Sequence, residues 1–241
     1  MKASIVVSAV FTLASIVQAN SPQSLLQSTP VDVTLFVMSR CPDAMKCEAT
    51  FAKVFDTPNL APVNPTLSFI GSIERTVNAS TTSVTTSVTC KHGPDECAGN
   101  IQQLCFQKQH PDHHVWVPFV VGMNSWQPRR IGELQYVRDV ASRIGGVAAD
   151  KDKLALVEQC AQGAEGQELL VQSVENTVDH QVSTSCTVFV DNKKRCVVDG
   201  GIWRECPGGF QVADFVRTIN EAAARVRVFI RTSKLYRIIS W

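Results

Sequence analysis

The stretch Cys90-Lys-His-Gly-Pro-Asp-Glu-Cys97-Ala-Gly-Asn100-Ile-Gln-Gln-Leu-Cys105 places three cysteines within 16 residues. Gly93 and Pro94 break the chain, and Pro94 suits the first helical position, where its missing N–H costs nothing. Asp95 and Glu96 put negative charge in the first turn, where the helix dipole favours it. Cys97, Ile101, Leu104 and Cys105 then recur at i, i+4, i+7 and i+8, one helix face, so a helix is expected from Pro94 to about His110. Eight helical residues separate Cys97 from Cys105 by about 12 Å, beyond the roughly 7 Å that a disulfide spans. Those two cannot bond each other, and at least two of the three cysteines are expected to find other partners. Cys90, lying before the turn, is one candidate. His92 reads either as a proton-transfer group or as a turn histidine bonded to backbone. Glu96 has a matching pair of readings, and the bland one is preferred for both. The spacing is not that of a zinc site.

Cysteine usage also bears on compartment. Met1-Lys2, the apolar run Ile5 to Val17 and the small residue Ala19 form a secretory signal pattern, so 1–19 is expected to be removed. The run is too short for a comfortable membrane span, and no other stretch reaches that length. All nine cysteines follow it, and in a secreted chain they read as a disulfide framework. Nine is odd, so at least one thiol is free or pairs outside the chain. Asn78-Ala-Ser is a glycosylation sequon in a Thr/Ser-rich stretch expected at the surface. A net charge of +1 gives no case for a nucleic-acid partner.

Residues 20–30 read as a flexible lead-in. Val31 to Met38 is a β-branched and aromatic run, hence a buried strand. Cys41-Pro42 follows, and Ala44, Cys47, Phe51, Val54 and Phe55 mark an amphipathic helix over 42–55. A second strand is expected over 66–73, then a polar loop with some hairpin character to residue 89. Helical patterns cover 115–123, 129–145, 150–161 and 167–180. Thr187 to Val190 and Cys196 to Val198 form a hairpin, here centred on Asn192-Lys193, which sets Cys196 opposite Phe189. A bond from Cys186 to Cys196 is therefore disfavoured, and Cys196 to Cys206 is the better pair. A last amphipathic helix carries Val212, Phe215, Val216 and Ile219. The basic, apolar tail 225–241 reads as a helix end, with a membrane-surface helix as the lesser alternative. His110-Pro-Asp-His113-His114 breaks the helix and reads as a solvated loop, with metal binding as the lesser alternative. The order β-α-β, helical insert (about 97–180), β-β-α is that of an α/β, thioredoxin-like domain over 31–224.

Cys41 sits where a strand delivers it to a helix N-terminus. There the dipole and free N–H groups stabilise a thiolate, which makes the cysteine reactive. Cys47 lies about 9 Å further along the axis, so Cys41 and Cys47 close a bond only if 42–46 loop out. Cys47 also falls on the apolar stripe, which favours a core or structural role over a resolving one.

The signature C-x-H-G-x-x-E-C-x-x-N-x-x-x-x-C, formed by Cys90, His92, Gly93, Glu96, Cys97, Asn100 and Cys105, resembles that of the gamma-interferon-inducible lysosomal thiol reductase (GILT) family. Lys91 stands where family members often carry Gln. The similarity extends weakly through Cys160 to Gly166 and to the Val188–Lys193 hairpin, about 31–220 in all. It implies a thioredoxin-like fold, reduction of disulfides in protein substrates, no metal or organic cofactor, and a place in the secretory pathway, extracellular or vacuole/lysosome. It also implies a C-x-x-C pair at the end of the first strand. Cys41 holds the first position, but Ala44 holds the fourth. Such folds usually carry a cis-proline before the third strand, and Cys186 takes that place, next to Cys41. Cys186 is then either a resolving or modulating thiol, or half of a structural disulfide. The candidate catalytic set is Cys41, Cys47 and Cys186, with Cys41 the nucleophile. Two other classes stay open: a catalytically lapsed, disulfide-rich binding protein, favoured by the lost C-x-x-C, and a metal or cluster site on Cys41 and Cys186.

Overall fold

In the computed structural model, residues 29–77, 83–145, 147 and 150–239 are described, with side chains through 225 in the last helix. The signal pattern 1–19, nearly all of the lead-in and Asn78 lie outside the described residues. A five-stranded sheet has the order β2-β1-β5-β6-β7. Strands β1 (Val31–Val37) and β2 (Val63–Phe69) pair in parallel, Val31 opposite Val63. Strand β5 (Thr187–Val190) joins β1 antiparallel, and β6 (Lys193–Asp199) and β7 (Ile202–Arg204) continue the meander. Val33, Leu35 and Val37 alternate onto one buried face, while Phe36 turns to the other and meets the rings of Phe189 and His180. That alternation is the period of a strand with both faces covered.

Helix α1 (Pro42–Phe55) and the start of α7 (Val212–Ile239) pack together on that core, with Phe51 against Phe215 at 4.7 Å between ring centroids. Between β2 and β5 the chain inserts five helices: α2 (Pro94–Gln109), α3 (His113–Ser125), α4 (Leu134–Ala141), α5 (Lys151–Gln162) and α6 (Ala164–Asp179). A disulfide from Cys105 to Cys160 ties α2 to α5. Gly166 permits the close approach of α6, because a Cβ there would meet the Cys160 carbonyl at 2.5 Å.

Several expectations change. The strand expected over 66–73 starts earlier, at Val63, and stops at Phe69. Ser173 and Thr177 of α6 end it by bonding the Phe69 N–H and C=O. The polar stretch after it is a two-stranded antiparallel ribbon, β3 (Ser72–Val77) with β4 (Val84–Thr89), outside the main sheet. The pattern at 129–145 is not one helix: Gly132, at φ 106°, separates a turn at 128–130 from α4. The hairpin turns on Asp191-Asn192, both at positive φ, one residue earlier than expected. That is the geometry of a tight hairpin turn. A bulge then leaves Arg195 unpaired and sets Cys196 opposite Val188 rather than Phe189. Cys196 bonds Cys206, the partner expected for it. Finally, α7 runs as one helix through Ile239, so residues 225–239 continue it. No helix of the described residues is long and apolar enough to cross a membrane.

Candidate active site

Cys41 is the N-cap of α1, in extended conformation, with Pro42 in the first turn and Asp43 behind it. Its carbonyl accepts the Met45 N–H, and no side chain caps the helix start. Of the nine cysteines, Cys41 alone carries no disulfide. It is 7% exposed. Its thiol donates to the Ser185 carbonyl at 3.9 Å, while the Ser185 hydroxyl accepts the Met38 N–H at 3.2 Å. The Ser185–Cys186 peptide is cis, so Cys186 occupies the place anticipated for it beside Cys41. Its sulfur is bonded to Cys47, 139 residues away in sequence, and both are fully buried. The three candidate cysteines thus lie along the first two turns of α1 and the cis turn beside it, with Cys47 and Cys186 bonded to each other.

The signature residues form a clamp behind this site. Cys90 and Cys97 are joined in a disulfide that closes the turn at Gly93, whose φ is 87°. Glu96 is fully buried; one oxygen accepts the His92 N–H at 3.1 Å and the other pairs with His92 Nδ1. Its backbone carbonyl accepts the Ser39 hydroxyl. Asn100 accepts the Ser39 N–H at 3.0 Å and donates to the Cys90 sulfur. The motif therefore grips the chain two residues before Cys41, and His92 bonds to Glu96. Arg40, between Ser39 and Cys41, pairs with Asp95 of the same helix at 2.8 Å.

Sequence reasoning missed three participants. Ser39 and Ser185 carried no signal beyond their neighbours. Gly99 did: it is a glycine on a helix that packs closely. A Cβ at Gly99 would lie 2.3 Å from Ile131 Cγ2 and 2.7 Å from the Ser39 Oγ. Gly99→Ala is accordingly expected to lower stability by about 1–3 kcal/mol, the usual cost of overpacking. Urea unfolding of the two proteins measures it, and an unchanged midpoint would show that Ile131 and Ser39 yield freely.

Glu48 was also missed, although it lies on the same stripe as Ala44 and Phe51. It is 3% exposed, and burial pushes its carboxyl up to about 8 despite the hydrogen bond from Asn124 at 2.5 Å. Its second oxygen has no partner among the described residues.

Metal-ligating side chains meet elsewhere. Donor atoms of Asp112, His113 and His114 lie within 4.8 Å of one another at the start of α3. Asp112 there caps the helix by accepting the His114 N–H. Burial first, then the neighbouring His114, hold His113 below the usual imidazole range, opposed by Asp112. Residues 110–112 form the loop expected there, with Asp112 and His114 exposed, while His113 and His114 already belong to the first turn of α3.

The strand, N-capping cysteine, helix and cis turn on a mixed sheet with helices inserted between β2 and β5 define a thioredoxin-like fold with a helical insertion. Solved structures share it. The protein MdbA, a thiol-disulfide oxidoreductase from Actinomyces oris, is 9% identical with a TM-score of 0.55, covering 83% of this chain and 84% of that one. The oxidoreductase NmDsbA1 from N. meningitidis is 13% identical with a TM-score of 0.51, covering 88% and 91%. Reduced DsbA1 from Neisseria meningitidis gives 14%, 0.51, 89% and 93%. Residues 32–137 match the family described as gamma interferon inducible lysosomal thiol reductase (GILT). That match covers β1 from its second residue, the Cys41 helix start and the whole Cys90–Cys105 signature. No curated protein matches the chain in sequence.

Proposed function

We propose that this protein is a thiol oxidoreductase of the secretory pathway that reduces disulfides in protein substrates, with Cys41 as its nucleophile. The carrying observation is that the one unpaired thiol caps a helix N-terminus beside the Ser185–Cys186 turn. The family match supports this reading, as do the four disulfides, which suit an oxidising compartment. A thiolate at Cys41 would draw on the free first-turn N–H groups once the S–H no longer donates to Ser185. Cys47 and Cys186 hold α1 against the turn before β5. Glu96, Gly99 and Asn100 hold Ser39, and thereby the approach to Cys41.

The test is alkylation of native protein at graded pH, read by peptide mass spectrometry. One modified site per chain is expected, at Cys41, reacting faster than an unstructured cysteine peptide at the same pH. If Cys41 resists alkylation until the protein unfolds, the reading fails. Ala44 in place of a second cysteine supports the other reading, a lapsed binding protein on the same fold, and that outcome would select it.

Secretion is tested separately. Mature material is expected to begin near Asn20, after the small residue Ala19. N-terminal sequencing that starts at Met1 would overturn it. Loss of mass on deglycosylation, confined to the peptide carrying Asn78, would identify the glycan.

A further inference from the structure

We propose that the catalytic cycle at Cys41 is completed by a low-molecular-weight thiol from solution, and not by a second cysteine of this chain. This rests on the reading of Cys41 as the nucleophile. It follows from a count of thiols and from where the others lie.

The side chain three residues past Cys41 is the methyl of Ala44, fully buried, so no thiol occupies the next turn of α1. The other eight cysteines form four disulfides. When the Cys41 thiolate attacks a substrate disulfide, one Cys41–substrate disulfide forms and one substrate thiolate leaves. The chain then holds five disulfides and no thiol. Displacing the second substrate sulfur requires a thiolate nucleophile, and the folded chain has none to offer. An external thiolate attacks the substrate sulfur, the Cys41 thiolate departs, and a substrate–thiol mixed disulfide is released. A second external thiol then frees the substrate sulfur. Two external thiols are oxidised to one disulfide, two substrate sulfurs are reduced, and Cys41 is unchanged.

The pair nearest to hand, Cys47 and Cys186, could resolve Cys41 only after gaining two electrons. Both are at 0% exposure, whereas Cys41 retains 7%. A reductant from solution therefore meets Cys41 before it can meet that bond. Once a protein substrate is bonded to Cys41, the sulfur to be displaced is flanked by both proteins, and access of that kind favours a small thiol over a folded protein dithiol.

The experiment uses the full secreted chain with its disulfides intact and a peptide disulfide as substrate. Without added thiol, the Cys41 mixed disulfide should accumulate to one per chain, with one peptide thiol released. Adding free cysteine or glutathione should discharge it at a rate first order in thiol. Initial rates against both reactants should give parallel double-reciprocal lines. Ala44→Cys should discharge the mixed disulfide with no added thiol. Discharge by the unmodified chain alone, or recovery of Cys41 bonded to Cys47 or Cys186, would overturn the inference while leaving Cys41 as nucleophile. Discharge only by an added protein dithiol would overturn it in the same way. If no mixed disulfide forms at Cys41, the underlying reading itself falls.

Discussion

Cys41→Ser is expected to abolish turnover of a model disulfide, leaving only the background rate of the external thiol. A serine hydroxyl fits the same N-cap, and serine is among the residues that cap helices best. Stability should hold or rise slightly, so the loss cannot be blamed on unfolding. Cys47→Ser makes the contrasting case. It breaks a bond that closes a loop of 139 residues, and removing such a native disulfide costs about 2–5 kcal/mol. It also frees Cys186 beside Cys41, so the variant carries two thiols. The measurements are turnover and thermal unfolding of both variants. Full activity in Cys41→Ser would sink the catalytic reading. An unaltered melting temperature in Cys47→Ser would show that the bond adds nothing to the fold.

The second large effect is on pH. The Glu48 carboxyl titrates at 4.5 in an unperturbed chain and at about 8 in the fold, because burial disfavours its charge. Between those values the folded protein keeps a proton that the unfolded chain has lost. Stability therefore falls as pH rises through this window, since it rises with pH only where the unfolded state binds more protons. Each pH unit between the two values is worth about 1.4 kcal/mol. The total loss is several kcal/mol, absent below pH 4.5 and complete above about pH 8. Glu48→Gln removes the titration while keeping an amide that Asn124 can bond. Wild type and variant should match near pH 4.5 and diverge steadily, with the variant the more stable above about pH 8. Denaturant unfolding across the range tests this. Parallel profiles would mean that Glu48 titrates as an ordinary carboxylate.

Much of the site was legible because its signals are local. Cys41-Pro42 after an apolar run announces a strand delivering a cysteine to a helix start. Gly93-Pro94 announces the signature helix. The place of Cys186 could be counted back from the hairpin. What escaped depends on contacts between distant segments. The β3–β4 ribbon is solvated on most positions, so its Thr and Ser alternation lacks the apolar period that marks a strand. The bulge at Arg195 answers to burial of that side chain over Phe215, which no local pattern reports. The pairing of Cys47 with Cys186 joins positions that were read separately. Glu48 was visible as a charge on an apolar stripe, but its effect depends on the depth of the packing above it.

Glu96, Gly99 and Asn100 press on Ser39, and none of their hydrogen bonds among the described residues reaches Ala44 or Cys186. Inheritance can therefore treat the two parts separately. The residue three places after Cys41 can change without disturbing the clamp, whereas a change in the clamp would reach both the fold and the approach to Cys41. Two chains that share the Cys90–Cys105 motif can therefore differ in the number of thiols they bring to a reaction. The residue three places after Cys41 is what would sort them by chemistry.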